Sequence, residues 1–169
     1  MNNQNNMTYP IPRVERQSLY YASLLLEDYA GKKSEETDFH TYIYQYLILK
    51  NNYPDLANVF LQITETAISH LKLLGETISL LGIDPKFRTI DLTTKRETYW
   101  TSENVSYVQG IFAILNNNIQ ETEQAIQRYQ LHRNLIQDIY IKNLLARIIE
   151  EKRNHIQIFQ TMLNQFLRK

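Results

Sequence analysis

Apolar residues recur at three- and four-residue intervals along most of this 169-residue chain, the spacing that gathers them on one face of a helix. The longest stripe, Ile141, Leu144, Leu145, Ile148, Ile149, Ile156, Phe159, Leu163 and Phe166, predicts a helix from about Asp138 to Leu167. Its middle is polar: Lys152 and His155 stand there, three residues apart and on the side the stripe buries. A second long stripe predicts a helix from Leu56 to Leu81, with Phe60, Ile63, Ala67, Leu74 and Ile78 inward and His70 interrupting the apolar face. A third, from about Val105 to His132, turns Val108, Ile111, Phe112, Leu115, Ile119, Ala125, Ile126 and Tyr129 inward, with Thr122 as its weakly polar point.

Two shorter segments come first. Val14 to Ala30 carries Leu19, Ala22, Leu25, Leu26 and Tyr29 on one side, and Gly31 ends it, because a glycine just past the last periodic residue is a common helix stop. Ser34, a good N-cap residue, opens the next helix, whose stripe of Phe39, Tyr42, Ile43, Tyr46 and Leu49 places Glu35 on the buried face. Pro54 suits a first helical turn. Between Gly82 and Ser106 no clean period exists. A connection of about 25 residues is long for a compact domain, and it matches a crossover running the length of a bundle. Short connection, long crossover, short connection is the plan of an all-α, ferritin-like four-helix bundle, with the crossover between bundle helices 2 and 3 and an extra N-terminal helix.

Composition narrows the partners. Eighteen basic and eighteen acidic side chains balance to a formal net charge of zero, which leaves no electrostatic footprint for nucleic acid. The absence of cysteine removes disulfides, thiolate metal sites and a cysteine nucleophile together. No apolar run reaches the ~18 residues a membrane span needs, and the opening MNNQNNMTYPIP has neither a charged leader nor an export-length apolar core. The expectation is a cytoplasmic protein with neither a nucleic-acid nor a membrane partner. Residues 1–12 read as a flexible polar arm and residues 13–169 as one domain. Tyr9, Pro10 and Pro12 also suit an extended strap against a neighbouring subunit. Neither a Gly-rich phosphate loop nor a nucleophile elbow is present.

Each bundle helix therefore carries a polar or small residue at mid-stripe: Glu35, then Ala67 with His70, then Thr122, then Lys152 with His155. In ferritin-like bundles a dinuclear iron or manganese site takes one Glu from each of two helices and a Glu-x-x-His pair from each of the other two. The three-residue spacing puts Glu and His on one helix face. The segments VERQSLYYASLLLEDYAGKKSEETDFHTYIYQY (14–46), ITETAISHLKLLGETI (63–78), Tyr99-Trp100, NNIQETEQAIQRY (117–129) and RIIEEKRNHIQIF (147–159) together resemble the rubrerythrin-like and manganese-catalase-like proteins of endospore-forming bacteria. The resemblance implies metal-ligand roles for Glu35, His70 and His155. It also shows three departures, because Ala67, Thr122 and Lys152 stand where the remaining carboxylates would be.

Nearby acids do not repair the set on an ideal helix. Glu65 and Glu150 lie five residues before a histidine and are rotated ~140° from it, while Glu121 and Glu123 point ~100° to either side of Thr122. Asp38 and Glu151 are nearer, but using them requires a shift of register. Hard divalent metals need carboxylate oxygens, so the departures predict a vestigial site with no cofactor. Lys152 is expected to pair with Glu35, its ammonium supplying the positive charge a metal would have given.

Two functions follow. In the first, the chain is a non-catalytic structural protein that self-associates into a homo-oligomer or higher assembly, and the resemblance adds spore association as a setting. In the second, it binds iron or manganese and acts on peroxide, with Glu35, His70 and His155 as ligands.

Overall fold

The computed structural model describes residues 8–168. In chain order it contains α1 (Leu19–Ala30), α2 (Glu35–Leu49), α3 (Pro54–Leu80), β1 (Arg88–Ile90), β2 (Glu97–Tyr99), a 3-10 turn (Ser102–Asn104), α4 (Ile111–Leu135) and α5 (Ile139–Leu167). Among the described residues no helix is long and apolar enough to cross a membrane.

The core has two levels. One packs Leu25 and Leu26 of α1 against Leu74 and Ile78 of α3, Tyr129 of α4 and Leu145 and Ile148 of α5. The other packs Tyr42 and Leu49 of α2 against Leu56 and Phe60 of α3, Leu115 of α4 and Phe159 of α5. The chain passes from the first level to the second through α1 and α2, returns in α3, and repeats the α3 direction in α4. The α3–α4 connection must therefore run the length of the bundle, as the connection lengths predict. The extra N-terminal helix is α1, and it shares the two levels with α2 rather than lying outside the bundle.

Local chemistry explains the breaks. A Cβ on Gly31 would lie 2.5 Å from the Glu27 carbonyl oxygen, so glycine is the residue that closes the last turn of α1 here without a shift. Ser34 Oγ then accepts from the Thr37 N–H and starts α2, and Pro54 occupies the first turn of α3. Asp138 Oδ1 accepts from the N–H groups of Tyr140 and Ile141 and caps α5.

Three local expectations shift. Helix α1 begins at Leu19, where Ser18 caps it, instead of Val14; the preceding backbone is extended and follows α5. There the Glu15 N–H donates to Asp138 Oδ2 at 2.6 Å, and the Arg13 guanidinium covers the Tyr140 ring at 4.6 Å. Within the expected arm, residues 1–12, Tyr9 lies against His70 and Arg147 of its own chain, and residues 1–7 lie outside the described residues. Helix α4 begins at Ile111 because Gly110 takes φ +88°, a conformation that breaks the run from Val105. Leu19 and Phe112, expected to face inward, are 51% and 46% exposed.

The crossover contains a hairpin that the periodicity did not reveal, pairing Arg88 with Tyr99 and Ile90 with Glu97. Phe87 stacks on Tyr29 of α1 at 5.1 Å. The Trp100 indole N–H donates to Thr37 Oγ1 at 2.9 Å, and its ring stacks on His40 of α2. The crossover is thus pinned over the α1–α2 junction, next to Glu35.

Candidate functional site

Three helices bring Glu35, His70, Lys152 and His155 together at the junction of the two core levels. Glu35 opens α2, His70 lies in the second half of α3, and Lys152 and His155 face them from α5. Lys152 and Glu35 are each 1% exposed and His70 is fully buried. Lys152 Nζ lies 2.8 Å from Glu35 Oε1, so the expected ion pair is formed. The same nitrogen donates to Asp38 Oδ2 at 2.5 Å. The ammonium is therefore held between two carboxyl groups of α2, placed one turn apart on one face.

Glu35 has no unpartnered oxygen. Its Oε1 also accepts from the Tyr129 hydroxyl at 2.7 Å, and its Oε2 faces His70 Nδ1 at 3.2 Å. The other ring nitrogen, His70 Nε2, meets Glu151 Oε2 at 2.9 Å. Glu151 is held in turn by Arg147 at 2.9 Å and by the Tyr9 hydroxyl, which donates to the same Oε2. Tyr9 also packs edge-on against the His70 ring and under the Arg147 guanidinium. A continuous hydrogen-bonded path thus crosses the bundle from Tyr129 through Glu35, His70 and Glu151 to Tyr9.

The electrostatics follow from burial and from this pairing. Burial alone would raise the Glu35 pKa, but the Lys152 ammonium and His70 outweigh it and hold the carboxyl well below the usual range. Burial would lower the Lys152 pKa, and the Asp38 and Glu35 carboxylates more than reverse this, so the amine stays protonated. For Asp38 burial wins over the attraction of Lys152 and the pKa rises. Burial pushes Glu151 up to about 6, against the lowering effect of Lys152. Burial, followed by the charge of Lys152, pushes His155 down to about 3 and keeps it neutral. Its Nδ1 is buried without a hydrogen-bond partner among the described residues. Tyr42, beside Asp38 and Lys152, is raised chiefly by burial and remains a phenol.

The three departing positions are also in place. Ala67 is buried one turn before His70 on α3 and presents no oxygen. Thr122 is buried on α4 and donates to its own helix at Asn118 O, 2.6 Å away. Lys152 fills the third. Asp38 and Glu151, which seemed to need a register shift, are both drawn in without one. Asp38 follows Glu35 by three residues, and Glu151 precedes His155 by four, so helical spacing alone carried that signal. Tyr129 lay on the predicted inward stripe, whereas the approach of Tyr9 to His70 depends on the path of the strap and left no local signal.

A second buried charged cluster ties α1 to α4. Asp28 accepts from Arg128 Nε at 2.8 Å and faces His132 Nδ1 at 2.7 Å. His132 is lowered by burial but raised more by its hydrogen bonds to Asp28 and Glu27, and its pKa rises to about 9. One more turn of the Ala125, Ile126, Tyr129 stripe would have reached it.

Fold and site together define a ferritin-like helical bundle with charged residues at its centre. The rubrerythrin family profile matches residues 30–163, and this chain belongs to that family. It is 25% identical over 169 residues to a probable manganese catalase of Clostridium acetobutylicum, covering 90% of this chain and 74% of that relative. Among solved structures, a manganese catalase from Anabaena superposes with a TM-score of 0.83 at 19% identity, over 98% of this chain and 80% of the other. The Desulfovibrio desulfuricans bacterioferritin, described with a diiron site, gives 0.74 at 20% identity, over 88% and 81%.

The side chains here do not fit a dinuclear manganese or iron centre. Ala67 and Thr122 present no carboxylate to the site, and a protonated amine lies between Glu35 and Asp38. Both ring nitrogens of His70 face carboxyl oxygens within the protein. A divalent ion would have to displace a cation already hydrogen-bonded to the oxygens it needs.

Proposed function

We propose that this protein is a structural member of the rubrerythrin family, in which an internal ion-pair network replaces the dinuclear centre and self-association replaces peroxide chemistry. The observation that carries this reading is the Lys152 ammonium, 2.8 Å from Glu35 and 2.5 Å from Asp38. It satisfies the charge of the remaining carboxylates from within the chain. Glu35, His70 and His155 are on this reading vestigial ligands, and no cofactor is required. A homo-oligomer or larger assembly is supported by a net charge of zero, which favours association, and by exposed apolar side chains such as Leu47, Tyr107, Phe112 and Leu131. The family resemblance adds a spore as one setting for such an assembly.

Two measurements test the proposal. Elemental analysis of protein purified without chelator should find no near-stoichiometric manganese or iron. Light scattering across concentration should find an oligomer, and a stable monomer at every concentration would sink the structural reading.

One observation favours a second reading. His155 Nδ1 is buried, neutral and without a partner among the described residues, and an imidazole in that condition is a potential metal ligand. In that reading the chain is a metalloprotein acting on peroxide or handling iron or manganese, like the catalases it resembles. Peroxide consumption after loading with either metal separates the two readings.

A further inference from the structure

We infer that the Asp84–Pro85 bond is a self-cleavage site: the Asp84 carboxyl group cuts its own peptide bond, and Arg88 stabilises the charge that forms on the carbonyl oxygen. The product is a two-chain bundle, residues 1–84 carrying α1 to α3 and residues 85–169 carrying α4 and α5. This goes beyond the proposed function and does not depend on what fills the centre of the bundle.

Asp84–Pro85 is the one Asp–Pro bond in the sequence. Such a bond is disposed to break, because the aspartate side chain closes a five-membered ring on its own carbonyl carbon and proline nitrogen, which carries no N–H, is a more basic leaving group than an ordinary amide nitrogen. The attack needs no bimolecular encounter. The structure adds the surroundings of the carbonyl oxygen. Asp84 O accepts from the Lys86 N–H at 2.9 Å, which closes a three-residue turn over Pro85, and from Arg88 Nη1 at 2.9 Å. Two donors, one of them a guanidinium, thus converge on the atom that becomes an oxyanion, and such donors act most strongly when they are fixed and shielded from water. Arg88 is 6% exposed. It is held by the pairing of β1 with β2, by the Trp100 N–H donating to Phe87 O at 2.9 Å and by Glu97, 2.9 Å from its Nε. On the other side of the bond, the N–H groups of Gly82 and Ile83 donate to Ser79 O and Ile78 O at the end of α3. The scissile unit is anchored at both ends, while the Asp84 side chain is 64% exposed and open to water.

The reaction balances with one water. An oxygen of the Asp84 carboxylic acid forms a bond to the Asp84 carbonyl carbon, the C–N bond to Pro85 breaks, and the carboxyl proton goes to the proline nitrogen. Water then opens the cyclic anhydride to an α-carboxyl and a side-chain carboxyl on Asp84. The charged and titratable groups facing Asp84 are Lys86, 3.7 Å from its Oδ2, Arg88 with Glu97 behind it, and from α1 the phenol of Tyr29, whose pKa is raised by burial and then by the charges of Glu36 and Asp84. Lys86 favours the carboxylate, so the reaction is slow near neutral pH and quickens in mild acid. Both fragments contribute to both levels of the core, which keeps the cut bundle associated.

The test is incubation of the full chain at pH 5, folded and in parallel in concentrated urea, with the products read by mass spectrometry. The folded wild type should give fragments 1–84 and 85–169, whose masses sum to that of the chain plus one water, at a rate about tenfold or more above that of the unfolded chain. Hydroxylamine present during the incubation should be captured as a hydroxamate on Asp84. Arg88→Gln should slow the folded reaction by on the order of 10²-fold, Glu97→Gln, which keeps the guanidinium, by far less, and Asp84→Ala should stop it. A wild type that stays whole, or that cuts no faster folded than in urea, overturns the inference whether or not any variant folds, because the bond then has only the acid lability of any Asp–Pro sequence. Cleavage without a trapped hydroxamate overturns it as well, as does a folded Arg88→Gln chain that cuts at the wild-type rate.

Discussion

Tyr129 donates its hydroxyl proton to Glu35 at 2.7 Å, on the same carboxylate oxygen that Lys152 approaches at 2.8 Å. With His70 on the other oxygen, the carboxylate of α2 is satisfied by α3, α4 and α5 at once. The network therefore sets how the four columns of the bundle meet, and its removal should be felt as stability.

Lys152→Ala leaves the buried Glu35, beside a partly exposed Asp38, without its cation. Breaking a buried pair from one side costs roughly 3 to 5 kcal/mol, so denaturant unfolding of this variant should show a loss of that size. Adding Glu35→Gln and Asp38→Asn to the substitution should recover a large part of it. A single variant as stable as the wild type would refute the role given to Lys152.

His155 should behave in the opposite way. Its Nδ1 has no partner among the described residues, and a buried polar atom left unpaired costs about 1 to 3 kcal/mol. His155→Leu, close to it in volume, should melt at the same temperature as the wild type or higher. A drop comparable to that of Lys152→Ala would show that the imidazole does structural or ligand work.

Alkaline stability should be governed by His132. Its folded pKa is raised to about 9 above an unfolded value of ~6.5. The folded state thus holds the proton more tightly, and the stabilisation is complete below the unfolded pKa and is lost as pH rises through the folded one. Melting measured from pH 6 to 10 should show a decline on the order of 3 kcal/mol across that window. His132→Asn should be less stable at pH 6 and nearly flat over the same range.

The strap contributes less. Tyr9→Phe removes one hydroxyl from Glu151 while the Glu151–His70 contact remains, and the loss should be about 0.5 to 1.5 kcal/mol. Faster hydrogen exchange confined to the neighbourhood of Glu151 and His70 would accompany it. An unchanged exchange pattern would mean that Tyr9 does not cover the site in solution.

These residues also show what the sequence could and could not disclose. The helices and their order were legible because the stripes from Leu56 to Leu81 and from Ile141 to Phe166 are long enough to average out local exceptions. The hairpin at Arg88–Ile90 and Glu97–Tyr99 was not, since three residues per strand are too few for a period of two. Glu35, His70, Lys152 and His155 were legible as polar breaks in apolar stripes. Asp38 was set aside on the ground that using it requires a shift of register, although its position three residues after Glu35 places it on the same face. Tyr9 was out of reach: its contact with His70 depends on where Glu15 and Arg13 anchor the strap along α5.

On the proposed function, a protein-supplied ammonium, that of Lys152, stands in place of a metal. Equilibrium binding of manganese(II) and iron(II) should be compared between the wild type and the variant combining Ala67→Glu, Thr122→Glu and Lys152→Glu, which returns a carboxylate to each departing position. The wild type is predicted to bind neither ion near stoichiometrically, and the triple variant to gain binding that His70→Ala abolishes. Wild-type protein that takes up close to one or two equivalents of either metal, and loses them in His70→Ala, would contradict the account.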